Sequence, residues 1–116
     1  MSLNEWSDKI ILAETGEEPS FSEDMTSLMT IVEDAEQGTR GMPDVVVNLA
    51  EVDYLNSSNI AQLLRLRKRL AAGGARLRVC SVRDQVWGVL LVTGLDKLFD
   101  FHDATATAIA SLQLEA

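Results

Sequence analysis

The chain has one cysteine, Cys80, and one histidine, His102, in 116 residues. A single thiol excludes an intrachain disulfide, a Cys-x-x-Cys metal clip and a dithiol redox pair. It fits a reducing cytoplasm, the compartment expected for this protein. A single imidazole excludes most zinc sites and every Ser-His scheme that does not use His102. No apolar run approaches the roughly 18–20 residues of a membrane span, so no membrane insertion is expected. Met1-Ser2-Leu3-Asn4-Glu5 lacks the basic and apolar regions of a secretory signal. Also missing are a Gly-x-x-x-x-Gly-Lys phosphate loop, a Gly-x-Gly-x-x-Gly turn after a strand and a Gly-x-Ser-x-Gly elbow. The expectation is a non-enzyme with no catalytic residues, no metal ligands and no cofactor. Glu17, Glu18 and Asp24 read as a solvated acidic surface, and His102 as a loop or helix-start residue.

What remains is an ordinary core and an uneven charge. Hydrophobic residues make up 47% of the chain, and 116 residues suit one domain, 1–116. The net charge is −8. Residues 1–56 carry thirteen acids and two bases, while residues 57–116 carry five acids and eight bases. Overall acidity argues against a nucleic-acid partner.

Hydrophobic periodicity gives the order β, β, α, β, α, β, α, β, α. A short strand at 3–6 pairs through Ser7-Asp8 with a strand at 9–14. Ser22 caps a helix whose stripe is Met25, Leu28, Met29 and Val32, closed by Gly38 or Gly41. Asp44–Leu49 is β-branched and nearly continuous, as in a strand buried on both faces. A second helix places Ile60, Leu63, Leu64 and Leu70 inward and stops at Gly73-Gly74. Ala75–Cys80 alternates, which reads as a strand with one solvated face. Val82 to Leu91 forms a third helix, with Trp87 in or near the core and Gly94 as the stop. A strand at 98–101 and a helix capped by Asp103, through about Leu114, complete the chain. Strands alternating with helices specify an α/β fold with a mostly parallel sheet of four to five strands and about four helices.

Asn56-Ser57-Ser58-Asn59 stands at the start of the second helix. Both serine hydroxyls fall in the first turn, where backbone N–H groups lack intrahelical partners. One reading is plain capping by Asn56 or Ser57. The other is a switch: a phosphate on Ser58 would meet the favourable end of the helix dipole, yet present a hydrated charge to anything packed over the helix. Arg65, Lys68 and Arg69 should face solvent on this helix, opposite Leu63, Leu64 and Leu70. They serve either as a solvated face or as a dock for an acidic surface.

The stretch from Val45 to Leu112 resembles the STAS domain of bacterial anti-sigma-factor antagonists. The matching features are the Val45–Leu49 strand, the Asn56-Ser57-Ser58-Asn59 turn, the Leu-rich helix from Ile60 to Leu70 and the Gly73-Gly74 turn. The Leu77–Cys80 strand and the run Thr93-Gly94-Leu95-Asp96-Lys97-Leu98-Phe99 complete the match. Asn56 stands where the family usually has Asp, and Asn59 where it has Gly. The resemblance implies a single STAS-like domain that binds an anti-sigma factor, itself a serine kinase. It also implies phosphorylation of Ser58, or of its neighbour Ser57, reversed by a metal-dependent serine phosphatase. Asn56, Ser57, Ser58, Asn59, Gln62, Arg65 and Arg69 are the expected contact residues. The alternative is a constitutive interaction subunit of a lipid-transport or stressosome-like assembly, in line with the two altered asparagine positions.

Overall fold

The computed structural model describes residues 3–115. Over them the chain forms β1 (Leu3–Glu5), β2 (Ile10–Gly16), α1 (Ser20–Glu36), β3 (Asp44–Glu51) and α2 (Ser57–Ala72). There follow β4 (Leu77–Cys80), α3 (Asp84–Thr93), β5 (Asp100–His102) and α4 (Thr105–Leu114). The five strands lie in the order β1-β2-β3-β4-β5. β1 is antiparallel to β2, and every other pair is parallel. The expected element order and sheet type are therefore those of the folded chain.

The sheet is covered on both faces, so its central strands carry apolar residues at successive positions. Ile11 and Ala13, Val45, Val47 and Leu49, and Leu77 and Val79 pack under α1, α2 and α3. Ile10, Leu12, Val46 and Cys80 pack against Ala108, Ile109 and Leu112 of α4. The Met25, Leu28 and Val32 stripe of α1 is buried, with Met29 at its margin. On α2 the fully buried leucines are Leu63, Leu66 and Leu70, while Ile60 and Leu64 flank them. Each such leucine contributes about 2 kcal/mol by leaving water. Gly38 (φ 85°) and Gly94 (φ 75°) end α1 and α3 in the left-handed conformation that glycine adopts without strain.

Three local expectations are corrected. α1 starts before Ser22: its N-cap is Pro19, which offers no side-chain acceptor, and Ser22 instead donates to Glu18. α4 is not capped by Asp103, because its N-cap is Ala104. β4 has no solvated face, since α4 covers the side that carries Arg78. Arg78 is 5% exposed and donates to Ser111 Oγ, to Asp100 at 2.9 Å and to Glu115 at 2.5 Å. Alternation identifies the two faces of a strand but not what covers them.

Candidate functional site

The carboxyl ends of β2, β3 and β4 lie side by side in the sheet, so the loops that follow them meet at one edge. Leaving β3, Val52 and Leu55 bury their side chains in the core, while Tyr54 stays 64% exposed. Two buried anchors on either side of Asp53 fix the path of this loop. The Asp53 N–H donates to the Glu17 carboxylate of the β2–α1 loop. Its carboxylate accepts from Arg83 at 2.6 Å and from Gln85 at 3.1 Å, and Arg83 also donates to the Ala50 carbonyl. Three loops are thereby tied together.

α2 begins at the end of this loop. Asn56 has extended backbone (φ −85°, ψ 174°), and its Oδ1 accepts from the Asn59 N–H at 2.8 Å. Asn59 Oδ1 accepts in return from the Asn56 N–H at 3.1 Å. This reciprocal box satisfies two of the donors a helix start would otherwise leave open. Asn59 is 2% exposed. Its Nδ2 donates to Glu18 at 3.3 Å and to Gln62 at 3.4 Å. Gln62 donates to the Ser22 hydroxyl at 3.3 Å, and that hydroxyl donates to Glu18. The starts of α1 and α2 are therefore one hydrogen-bonded unit centred on Glu18.

The Glu18 carboxyl is held below the usual carboxylate value. The Ser22 hydroxyl is the main cause and the Ser22 N–H the next; burial opposes them, and Asn59 adds a smaller lowering. All these donors favour the charged form. Glu18 is exposed, as a solvated acidic surface expects, but it is also hydrogen-bonded; for Asp24, which is 7% exposed, that expectation is corrected.

Ser57 and Ser58 lie in the first turn of α2 with their side chains exposed. Neither hydroxyl has a hydrogen-bond partner among the described residues. Of the other expected contact residues, Arg65 is exposed and Gln62 half-buried. Arg69 is ion-paired to Glu36 of α1 through two hydrogen bonds, which lower the Glu36 pKa and raise that of Arg69. The site thus gathers Asn56, Ser57, Ser58, Asn59 and Gln62, with Arg65 and Arg69 further along α2. Glu18 and Ser22 were not expected at the site because the contacts that join them to α2, through Asn59 and Gln62, are tertiary. One local signal was available: Pro19 marks a helix start, and Glu18 just before it is placed to take an open N–H. Trp87 is half-buried on the core, with its ring 4.9 Å from that of Phe101. His102 closes β5. Among the described residues, no cluster of three or more His, Cys, Asp or Glu could hold a metal ion. No helix there is long and apolar enough to cross a membrane.

These features define an α/β domain with an open serine pair on a locked helix start. The STAS domain family matches residues 3–108, and the chain belongs to that family. Its fold is similar to that of an anti-sigma-factor antagonist (STAS) domain protein from Planctomyces limnophilus. There the TM-score is 0.78 at 18% identity, over 96% of each chain. It is also similar to a Thermotoga maritima protein in its solution structure, with a TM-score of 0.78 at 15% identity over 97% of this chain and 89% of that one. The crystal structure of the Thermotoga protein gives a TM-score of 0.69 at 14% identity, over 96% and 92%. At such identities the likeness is one of fold. No curated protein sequence matches the chain.

Proposed function

We propose that the domain is an anti-sigma-factor antagonist, a protein-binding switch that sequesters an anti-sigma factor with serine-kinase activity. Ser58 is the preferred phosphoacceptor, with Ser57 beside it, and a metal-dependent phosphatase resets the switch. The observation that carries the reading is the exposed, unpartnered Ser58 hydroxyl on a turn held by the Asn56–Asn59 box. The box keeps the acceptor in one place without using its oxygen. Asn56 and Asn59 then act by shaping the turn, Gln62 by bracing it, and Arg65 and Arg69 at the edge of the surface.

A phosphate on Ser58 adds a charge of about −1.5 to −2. At the start of α2 the dipole and open N–H groups favour that charge, so the fold survives. A partner packed over the turn must desolvate it, which costs several kcal/mol against the ~8 kcal/mol of a micromolar complex. Binding changes more than folding. The test is incubation with the cognate kinase and ATP, followed by mass spectrometry. One phosphate on wild type and Ser57→Ala, and none on Ser58→Ala, supports the reading. Normal partner binding by Ser58→Asp would sink it.

A second reading has its own support. The Glu18 carboxylate bonded to Asn59 stands one residue from Ser58 and opposes a further negative charge there. In this reading the turn is a constitutive contact within a larger assembly, and Ser58→Asp and Ser58→Ala bind the partner equally.

A further inference from the structure

The same edge of the sheet also holds a concavity. Val82, Asp84, Trp87, Phe101, His102 and Asp103 line a cleft of about 270 Å³. It lies at the carboxyl ends of β4 and β5, where open α/β sheets receive ligands. Trp87 and Phe101 form an edge-to-face pair at 87° in its wall. Opposite in character are Asp84 and Asp103, both exposed and without a cationic partner among the described residues. No lysine or arginine lines the cleft. Beside the cleft, Ser81 adopts a left-handed backbone (φ 60°). The Ser81 N–H donates to the His102 carbonyl at 3.2 Å, and its hydroxyl to the Asp103 carbonyl at 3.5 Å.

The rim of the cleft is tied to the loop that precedes the serine turn. Arg83 lies next to Asp84 and reaches across to Ala50 and Asp53. The loops after β2, β3, β4 and β5 carry Glu17, Glu18, Asp53 and Asp103. Their one base is Arg83, already neutralised by Asp53. The edge therefore presents negative charge and aromatic surface together. Carboxylates attract a cation, a guanidinium can bridge them by charge-assisted hydrogen bonds, and an indole face adds cation–π attraction.

We infer that this cleft seats a cationic side chain, arginine or lysine, of the protein that docks on the serine turn. The inference rests on the reading of this edge as a protein-binding surface. The aromatic wall holds the aliphatic stem and the charged head lies between Asp84 and Asp103. Such an anchor, aromatic on one side and ionic on the other, is of the kind that concentrates binding energy at interfaces.

The probe is the peptide acetyl-Gly-Arg-Gly-amide, titrated into the full chain at constant ionic strength and followed by amide and indole NMR. Its counterpart carries citrulline, which keeps the shape and loses the charge. Saturable shifts at Val82, Trp87 and His102 with the arginine peptide alone support the assignment. The Asp84→Asn, Asp103→Asn double variant then binds about fivefold more weakly, as expected for two part-exposed ion pairs. Glu33→Gln with Asp34→Asn, on the far end of α1, leaves binding unchanged. Equal binding of the citrulline peptide, the absence of saturable shifts, or shifts that follow every acidic surface and ignore the double variant overturns it. Ser58→Asp should bind the peptide as wild type does. Failure of the phosphorylation reading in the kinase experiment is thus seen separately from failure of this one.

Discussion

Asn59 and Glu18, 41 residues apart in sequence, hydrogen-bond across the junction of two helix starts, with Asn59 Nδ2 donating to Glu18 Oε2 at 3.3 Å. The same carboxylate accepts from the Ser22 N–H and hydroxyl, so one acid serves the first turns of α1 and α2 together. A carboxylate at this end of a helix is also favoured by the dipole. The serine turn is thus positioned from outside its own helix.

The first prediction concerns pH. The Glu18 carboxyl is held below its ordinary value of 4.5, chiefly by the Ser22 hydroxyl, and that of Glu36 is held below the same value by Arg69. Groups with lowered folded-state pKa contribute stability that is present above the unfolded value and lost as pH falls through the folded one. The thermal midpoint should therefore drop as pH is taken below 4.5. Glu18→Gln, which lacks this titration, should show a shallower acid limb with a lower midpoint at neutral pH. Superimposable acid limbs would contradict the role given to Glu18.

Asn59→Ala removes half of the capping box and leaves the Asn56 N–H without its acceptor. A loss of about 1 kcal/mol is expected. Asn59→Gly, which restores the residue usual in the family, should cost about 1 kcal/mol more through backbone entropy in the helix. Urea midpoints at unchanged slope measure both, and a neutral Asn59→Ala would show that the box does not form in solution.

Thr15 is 2% exposed and its Oγ1 has no hydrogen-bond partner among the described residues. Valine has nearly the same shape and no hydroxyl. Thr15→Val should stabilise the domain by about 1 kcal/mol, because it removes a desolvated polar group that nothing satisfies. Calorimetry showing a lower midpoint would mean that the hydroxyl finds a partner in solution.

Arg78 is buried at 6% side-chain exposure, but its partners Asp100 and Glu115 are 73% and 56% exposed. Removing the arginine lets both carboxylates return to water. Arg78→Met, which keeps the aliphatic stem, should cost no more than about 1 kcal/mol. Removing the acids instead, with Asp100→Asn and Glu115→Gln, leaves a buried guanidinium short of counter-charge. That loss should be the larger by a few kcal/mol. Equal losses in chemical denaturation would refute this asymmetry.

Much of the site was legible because capping is local chemistry. A side chain three residues from an open N–H reaches it whatever the rest of the fold does, so Asn56 and the serine pair marked the start of α2 correctly. The same logic failed at Ser22 and Asp103, where the N-cap lies three residues earlier, at Pro19, and one residue later, at Ala104. At Ser22 the open N–H was taken by Glu18. Arg78 was misjudged for a related reason: its alternation is real, but α4, more than 25 residues further on, decides that the face is dry.

Sequence alone determined the element order, the mostly parallel sheet, the two-sided burial of β3 and the exposed position of Ser58 on a helix start. Each follows from periodicity, chain punctuation or backbone donors within a few residues. Tertiary structure alone decided that Glu18 joins two helix starts and that Arg78 is buried. It also decided that Asp84 and Asp103 face one aromatic cleft. These depend on groups tens of residues apart meeting at the edges and faces of the sheet, and only the packed fold sets those distances.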